Sequence, residues 1–437
     1  MTRKFKIILI VIALAILGGI AFWYFVYNKK PQTNNGGAIV PTNNNGFTPI
    51  NRNTVRTSTT TAPTPTSTNT STSTGSSATS TNGVAGKMPK LRQLITTPVS
   101  GIFASTTRVR SQASASTTIE ATIARFIDRG TGHVFQTNDL NMDIEKISNT
   151  TLPKIYEGYW NKNLNAMIVR YLKDDTDSIT NFYAELRLSA TSTASSTTPY
   201  ETKGKYISST IDQIAISPSG DRIFTWNTES GVGVGYISTF DERNKVKLID
   251  TPLTQVNIDW PETSTVTVTT RGSAIASGYS YSIDTRTGTM TKVLSSIRGL
   301  SAKMSRDAKN ILYSVGGSAI ATRIVDTKTA TTTEVIFNTL ADKCVWSTLR
   351  KNELYCAVPN DVQPAIYPDD WYKGKVSFVD KIWHLDTNTG EVHLIANLLT
   401  LSNQLIDATQ LTLDPKENYL YFVNKNDLTP WVLDLNL

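Results

Sequence analysis

Few residues in this chain are of types that do chemistry alone. Its 437 residues include three His and two Cys. A His-rich metal centre or a Cys-based zinc site needs more ligands than that, so neither a metal nor a cofactor is expected. His133, His384 and His393 show no ligand spacing and no Ser or Cys partner, and are assigned to packing or surface. Gly231-Val-Gly-Val-Gly235 superficially matches a phosphate loop, but it lies between strand-like runs with no helix after it, so the dinucleotide reading fails. Asp174-Asp-Thr-Asp177 could offer several oxygens to a cation. A solvated acidic turn explains the same residues and is preferred. No nucleophile elbow appears, and no catalytic residue is assigned.

Two features remain. The segment 359–374 carries Tyr367, Trp371 and Tyr372, large amphipathic residues of the kind that supply binding energy at interfaces. Asp369, Asp370 and Lys373 beside them could orient a peptide or a sugar. These six form the candidate binding site. The competing reading is that the aromatics fold back and cap their own sheet. Cys344 and Cys356 flank a hairpin from Val345 to Tyr355 and are symmetric about Arg350. That places them opposite each other on adjacent strands, where a disulfide is geometrically possible; two small buried hydrophobes are the alternative.

The elements that must position these residues are short strands. Ser282-Ile-Asp-Thr-Arg-Thr-Gly288, Arg323-Ile-Val-Asp-Thr-Lys-Thr-Ala330 and Trp383-His-Leu-Asp-Thr-Asn-Thr-Gly390 repeat one strand-and-turn pattern. A second pattern precedes them: strand, tight polar turn, then a more apolar strand, as at 214–226, 302–314 and 411–423. Successive copies at Ser217, Trp260, Ser305 and Ser347 are 42–45 residues apart, the period of a four-stranded propeller blade. Longer intervals contain insertions, read at 105–119, 189–204 and 359–380.

Counting gives an all-β, seven-bladed β-propeller over residues 90–437, with six or eight blades as the neighbouring counts. Inner strands are expected near Val99, Lys154, Gln213, Gln255, Ser301, Lys343 and Thr409. The last blade lacks an outer strand, and Leu91-Arg-Gln-Leu-Ile95 is a strand without a blade. The N-terminal strand is therefore expected to complete the last blade and remove two exposed sheet edges. In a blade with strands a to d, the d–a and b–c loops share one rim, and the a–b and c–d loops share the other. Lys90 and the first two insertions then fall on the a–b/c–d rim, and 359–380 falls on the opposite one.

The segment Ser-Pro-Ser-Gly-Asp-Arg-Ile-Phe at 217–224 resembles the Ser-Pro-Asp-Gly-Lys hairpin of TolB-type and WD40-like bacterial β-propellers. Ser219 stands where those repeats carry Asp, and the Gly-His and Trp-Asp pairs of eukaryotic WD40 repeats are absent. The resemblance covers about residues 90–437. It implies a propeller working in the cell envelope through protein contacts; fold alone does not dictate an activity.

The N-terminal region departs from that family. Ile7 to Tyr27 is an uncharged apolar run. As a helix it would span roughly 31 Å, about the thickness of a bilayer core. Phe22, Trp23, Tyr24, Phe25 and Tyr27 suit an interfacial belt. Residues 1–30 are therefore read as a single transmembrane anchor. A cleaved signal peptide is disfavoured by the length of the run and by the absence of small residues at Tyr27-Asn-Lys-Lys30. Arg3, Lys4 and Lys6 favour a cytoplasmic N-terminus and an extracytoplasmic propeller. Residues 31–89, nearly all Thr, Ser, Asn, Gly, Pro and Ala, have the composition of a disordered linker, with ends roughly 40–45 Å apart as a flexible coil.

The net charge of +7 belongs to this region. Residues 1–89 hold eight Lys/Arg and no acid; removing them from 43 leaves 35 bases against 36 acids. A near-neutral folded part argues against a nucleic-acid partner. The expected function is a non-catalytic scaffold binding a protein or another envelope ligand, with the lipid bilayer as the anchor's partner. The alternative is an envelope-glycan hydrolase or lyase using carboxylates at the pore.

Overall fold

The computed structural model describes residues 89–436, apart from 111–117, 174–177 and 190–199. The anchor, the linker and the Asp174–Asp177 turn lie outside the described residues. Among those described, no helix is long and apolar enough to cross a membrane.

Seven four-stranded antiparallel sheets form a propeller. Blades 1 to 6 occupy residues 99–146, 155–206, 211–251, 256–298, 301–334 and 344–397. Blade 7 combines residues 408–434 with the N-terminal strand β1 (Leu91–Gln93), which pairs antiparallel with the strand Pro430–Asp434. Leu91 faces Leu433 and Gln93 faces Trp431. The Asp434 N–H donates to the Lys90 carbonyl at 2.8 Å, and the Leu94 N–H to the Pro430 carbonyl at 2.9 Å. The expected ring closure, blade count and inner-strand starts all appear.

Each blade buries one face against the next. Phe224 and Trp226 of blade 3 pack with Val256, Trp260 and Val268 of blade 4. Tyr421 and Val423 of blade 7 pack with Phe126 and Val99 of blade 1. Second strands lie between neighbours on both faces, so they are buried in continuous runs, as in Leu420–Asn424. That environment explains why their sequences do not alternate.

The repeated turns do structural work. Asp284 Oδ1 accepts the Arg286 and Thr287 N–H groups at 3.0 and 2.8 Å and the Thr287 hydroxyl at 3.0 Å. Gly288 closes the turn at φ +73°, a left-handed conformation that glycine adopts without steric cost. The first Thr reaches the neighbouring a–b turn, where Thr285 Oγ1 donates to the Thr263 carbonyl at 3.0 Å. Asp326 and Thr327 repeat this arrangement, and Asp386 and Thr387 repeat much of it. The Asp-Thr-x-Thr motif thus caps the c–d turn and ties it to the a–b turn on the same rim.

Two expected insertions are corrected. Residues 105–110 and 118–119 extend the first blade's a–b hairpin, Val99–Arg110 with Thr118–Asp128. Residues 200–204 belong to the outer strand Tyr200–Tyr206. The Ser/Thr-rich composition of 105–119 and 189–204 reads as loop, but cross-strand pairing at these ends overrides composition.

Two outcomes are expected. Leu91 is 7% exposed, so Leu91→Ala should lower unfolding free energy by about 3 kcal/mol in urea titration. The backbone N–H groups of Thr287 and Arg286 hold Asp284 below the ordinary carboxylate range, and those of Thr329 and Lys328, with the Thr329 hydroxyl, do so for Asp326. A depressed folded pKa gives stability that is complete above the unfolded value, about 4, and lost as pH falls through the folded value. The double variant Asp284→Asn/Asp326→Asn should therefore show a flatter dependence of urea midpoint on pH on the acid side.

Candidate functional site

The b–c insertion of blade 6 leaves the strand Glu353–Pro359 and returns at Asp380–Asp386. This lies on the b–c/d–a rim, opposite the rim where Lys90 enters blade 7. The insertion crosses its neighbours. Asp369 accepts the Ser273 hydroxyl at 3.0 Å and the Ala274 N–H at 2.7 Å in blade 4. The Tyr367 N–H donates to the Gly317 carbonyl of blade 5 at 2.7 Å. Ser377 contacts Asn426 of blade 7. A Cβ on Gly316 would lie 2.2 Å from the Tyr367 carbonyl oxygen, so this approach depends on glycine.

The six candidate residues do not converge on one ligand-facing surface. Tyr367 and Trp371 are buried, at 0% and 5% exposure, and join Ile320, Leu340 and Phe378 in a small core. Both rings stack on Phe378, with centroids 5.7 and 6.2 Å away. Asp370 accepts the Ile366 N–H at 2.9 Å and pairs with Lys375 at 3.1 Å; these contacts hold its carboxyl below the ordinary range. Only Tyr372 and Lys373 are exposed, and the Tyr372 hydroxyl is engaged by Asp342. The aromatics fold inward because a loop with this much apolar area reaches lower free energy by burying it. They cap blades beyond their own.

Beneath them lies a cluster that sequence reasoning missed. Lys343 immediately precedes the inner strand of blade 6, Asp407 that of blade 7, and Asp380 opens the third strand of blade 6. All three side chains are fully buried. Lys343 Nζ donates to Asp380 Oδ2 at 2.8 Å, to the Ala408 carbonyl at 3.1 Å and to Asp407 Oδ1. Asp407 Oδ2 accepts Trp371 Nε1–H at 2.8 Å and Phe378 N–H at 3.0 Å, with the Ser377 hydroxyl, shared with Asn426, at 3.2 Å. Nζ also lies 5.3 Å from the Trp371 ring centroid and 5.1 Å from that of Phe378. The available signal was a charged residue directly before each of two apolar inner strands.

Cys344 follows Lys343 and is bonded to Cys356, its direct cross-strand partner, with Cα atoms 4.1 Å apart. Gly233 and Gly235 lie on a strand packed against Trp226 and Phe224 rather than at a phosphate site. His384 accepts from or donates to Glu353 at 2.7 Å, and it faces His393 across the sheet. His133 is half-buried and lies apart from that pair. No group of three or more His, Cys, Asp or Glu among the described residues is arranged to hold a metal.

No protein-family model matches the chain, and no curated protein matches it. Solved structures do. The oligogalacturonate lyase of Vibrio parahaemolyticus superposes with TM-score 0.51 at 9% identity, over 80% of this chain and 94% of that one. A GH74 enzyme of Niastella koreensis gives 0.50 at 10% identity, over 80% and 54%. TolB of Acinetobacter baumannii gives 0.40 at 10% identity, over 76% and 79%. At such identities the likeness establishes the propeller fold alone.

Trp371→Ala should cost about 3–5 kcal/mol, because it removes both the ring and the Asp407 donor. Limited proteolysis should then cut within 359–380, where the unaltered protein resists.

Proposed function

We propose that this chain is a membrane-tethered, extracytoplasmic propeller that holds a protein partner on its b–c/d–a rim and catalyses no reaction. The observation that carries this reading is a group of exposed aliphatic residues on the blade 6 insertion and on the loops beside it. Ile275 is 87% exposed, Leu405 63% and Ile366 52%, with Leu399 and Leu401 beside Leu405. All five lie on b–c or d–a loops of blades 4, 6 and 7. The Asp369 contacts with Ser273 and Ala274 place the blade 6 insertion beside the loop of Ile275. Scattered apolar residues on a surface are ordinary. Several on adjoining loops, around an insertion whose interior is packed, make a pre-organised patch of the kind partners use.

Three features support the tethering. The apolar run Ile7 to Tyr27 is long enough to span a bilayer. The chain enters the ring on the rim opposite the patch. The Cys344–Cys356 bond suits an oxidising, extracytoplasmic compartment. The solved neighbours include enzymes as well as TolB, so the choice of a scaffold rests on this chain's own rim.

The test is capture of envelope proteins by detergent-solubilised full chain, compared with Ile275→Ser/Ile366→Ser/Leu405→Ser. Recovery of the specific partner should fall at least about tenfold, since anchors in an interface each contribute more than 1 kcal/mol. Equal recovery by both proteins would remove the rim from the argument.

A further inference from the structure

We propose that Lys343 and Asp407 form a self-modification site, in which Lys343 Nζ condenses with Asp407 Cγ to give an intramolecular amide and one water. The reaction would covalently join the inner strands of blades 6 and 7.

One ammonium and two carboxylates are wholly removed from solvent, and Asp380 Oδ1 is buried without a hydrogen-bond partner among the described residues. Desolvating three charges offsets much of their attraction, so such a cluster is a poor stabiliser compared with apolar packing. Condensation converts an ammonium and a carboxylate into a neutral amide and removes two of the three buried charges.

The cluster also places donors and acceptors where the condensation needs them. Nζ touches Asp407 Oδ1, one bond from the carbon it must attack. The fold holds the two groups together and desolvated, which replaces a bimolecular encounter with an oriented contact. Asp407 Oδ2 faces Trp371 Nε1–H and Phe378 N–H; Ser377 Oγ lies 3.2 Å away and shares its one proton with Asn426 Oδ1. Two N–H donors aimed at one carboxyl oxygen stabilise the negative charge that develops there in a tetrahedral intermediate. Asp380 Oδ2 lies 2.8 Å from Nζ and serves as proton carrier. Burial pushes the Asp380 carboxyl up to about 6, with Lys343 opposing and Asp407 adding to the rise, a value suited to taking and returning a proton near neutrality.

The atoms balance as follows. Asp380 takes one proton from the Lys343 ammonium and passes it to Asp407 Oδ1. The freed Nζ lone pair forms the N–C bond, and Oδ2 takes the charge. Asp380 moves a second proton from nitrogen to Oδ1, the Cγ–Oδ1 bond breaks, and Oδ1 leaves as water while Oδ2 returns to a carbonyl. Asp380 ends as a carboxylate, and no oxidant or co-reactant is consumed. Asp380 is the catalytic residue; Trp371 Nε1–H and the Phe378 N–H bind the oxygen.

The test is mass spectrometry of the purified full chain after disulfide reduction. The protein should be lighter than its sequence by one water. Trypsin should release a branched peptide in which residues 329–350, uncut after Lys343, are joined to residues 382–416. Lys343→Met should restore the full sequence mass, and Asp380→Asn should leave both partners in place yet unlinked, with linkage recovered in Asp380→Glu. Unaltered protein at full sequence mass, efficient cleavage after Lys343, or a water loss located elsewhere would each overturn the proposal. None of these three readouts depends on a variant folding. Full linkage in Asp380→Asn would overturn the role given to Asp380.

Discussion

A ring of sheets cannot bury its last face until its two ends meet. Here three residue pairs between Leu91–Gln93 and Pro430–Asp434 make that meeting. They are separated by nearly the whole length of the propeller, so the closure is among the most non-local contacts in the chain and carries a large loop-closure cost. It is supported by apolar clusters on both sides of blade 7. One contains Leu91, Leu420 and Leu433, and the other Leu94, Phe126 and Tyr421. Every other blade interface depends on the same geometry, because each blade's tilt is set by the neighbours it packs against.

The rims divide the work. On the a–b/c–d rim, Asp and Thr side chains satisfy turn backbone groups and stitch adjacent hairpins. On the other rim, the blade 6 insertion carries its own small core and rests on four blades. Between this loop and the inner strands lies the Lys343, Asp380 and Asp407 cluster, which links the loop's aromatic residues to the ring. Function is commonly placed on loops held by a rigid scaffold, and here the loop is itself held from below by charged hydrogen bonds.

The turns were legible in the sequence because their chemistry is local. Asp284, Thr287 and Gly288 act within five positions, so composition and spacing suffice to identify them. The blade count followed from the 42–45-residue spacing of the polar hairpins at Ser217, Trp260, Ser305 and Ser347. The Ser/Thr-rich stretches misled for the converse reason: at 105–110 and 200–204, pairing with a partner strand decides the state, and residue type does not. Tyr367 and Trp371 showed a similar limit. An aromatic residue in a loop has the same composition whether it faces a partner or a core, and only the position of Phe378 and of Asp407 distinguishes the two.

The sequence by itself determined the repeat, the strand order, the closing strand and the rim to which each loop belongs, since all of these follow from periodicity and short-range hydrogen bonding. It also placed Cys344 opposite Cys356, because antiparallel register around a hairpin is a matter of counting. The tertiary structure alone decided that Lys343, Asp380 and Asp407 share one dry site. They lie 37 and 64 residues apart along the chain, and only ring closure and the descent of Trp371 exclude water from them. Burial, which converts three ordinary charges into a reactive arrangement, is a property of the assembled ring and is not encoded in any local stretch.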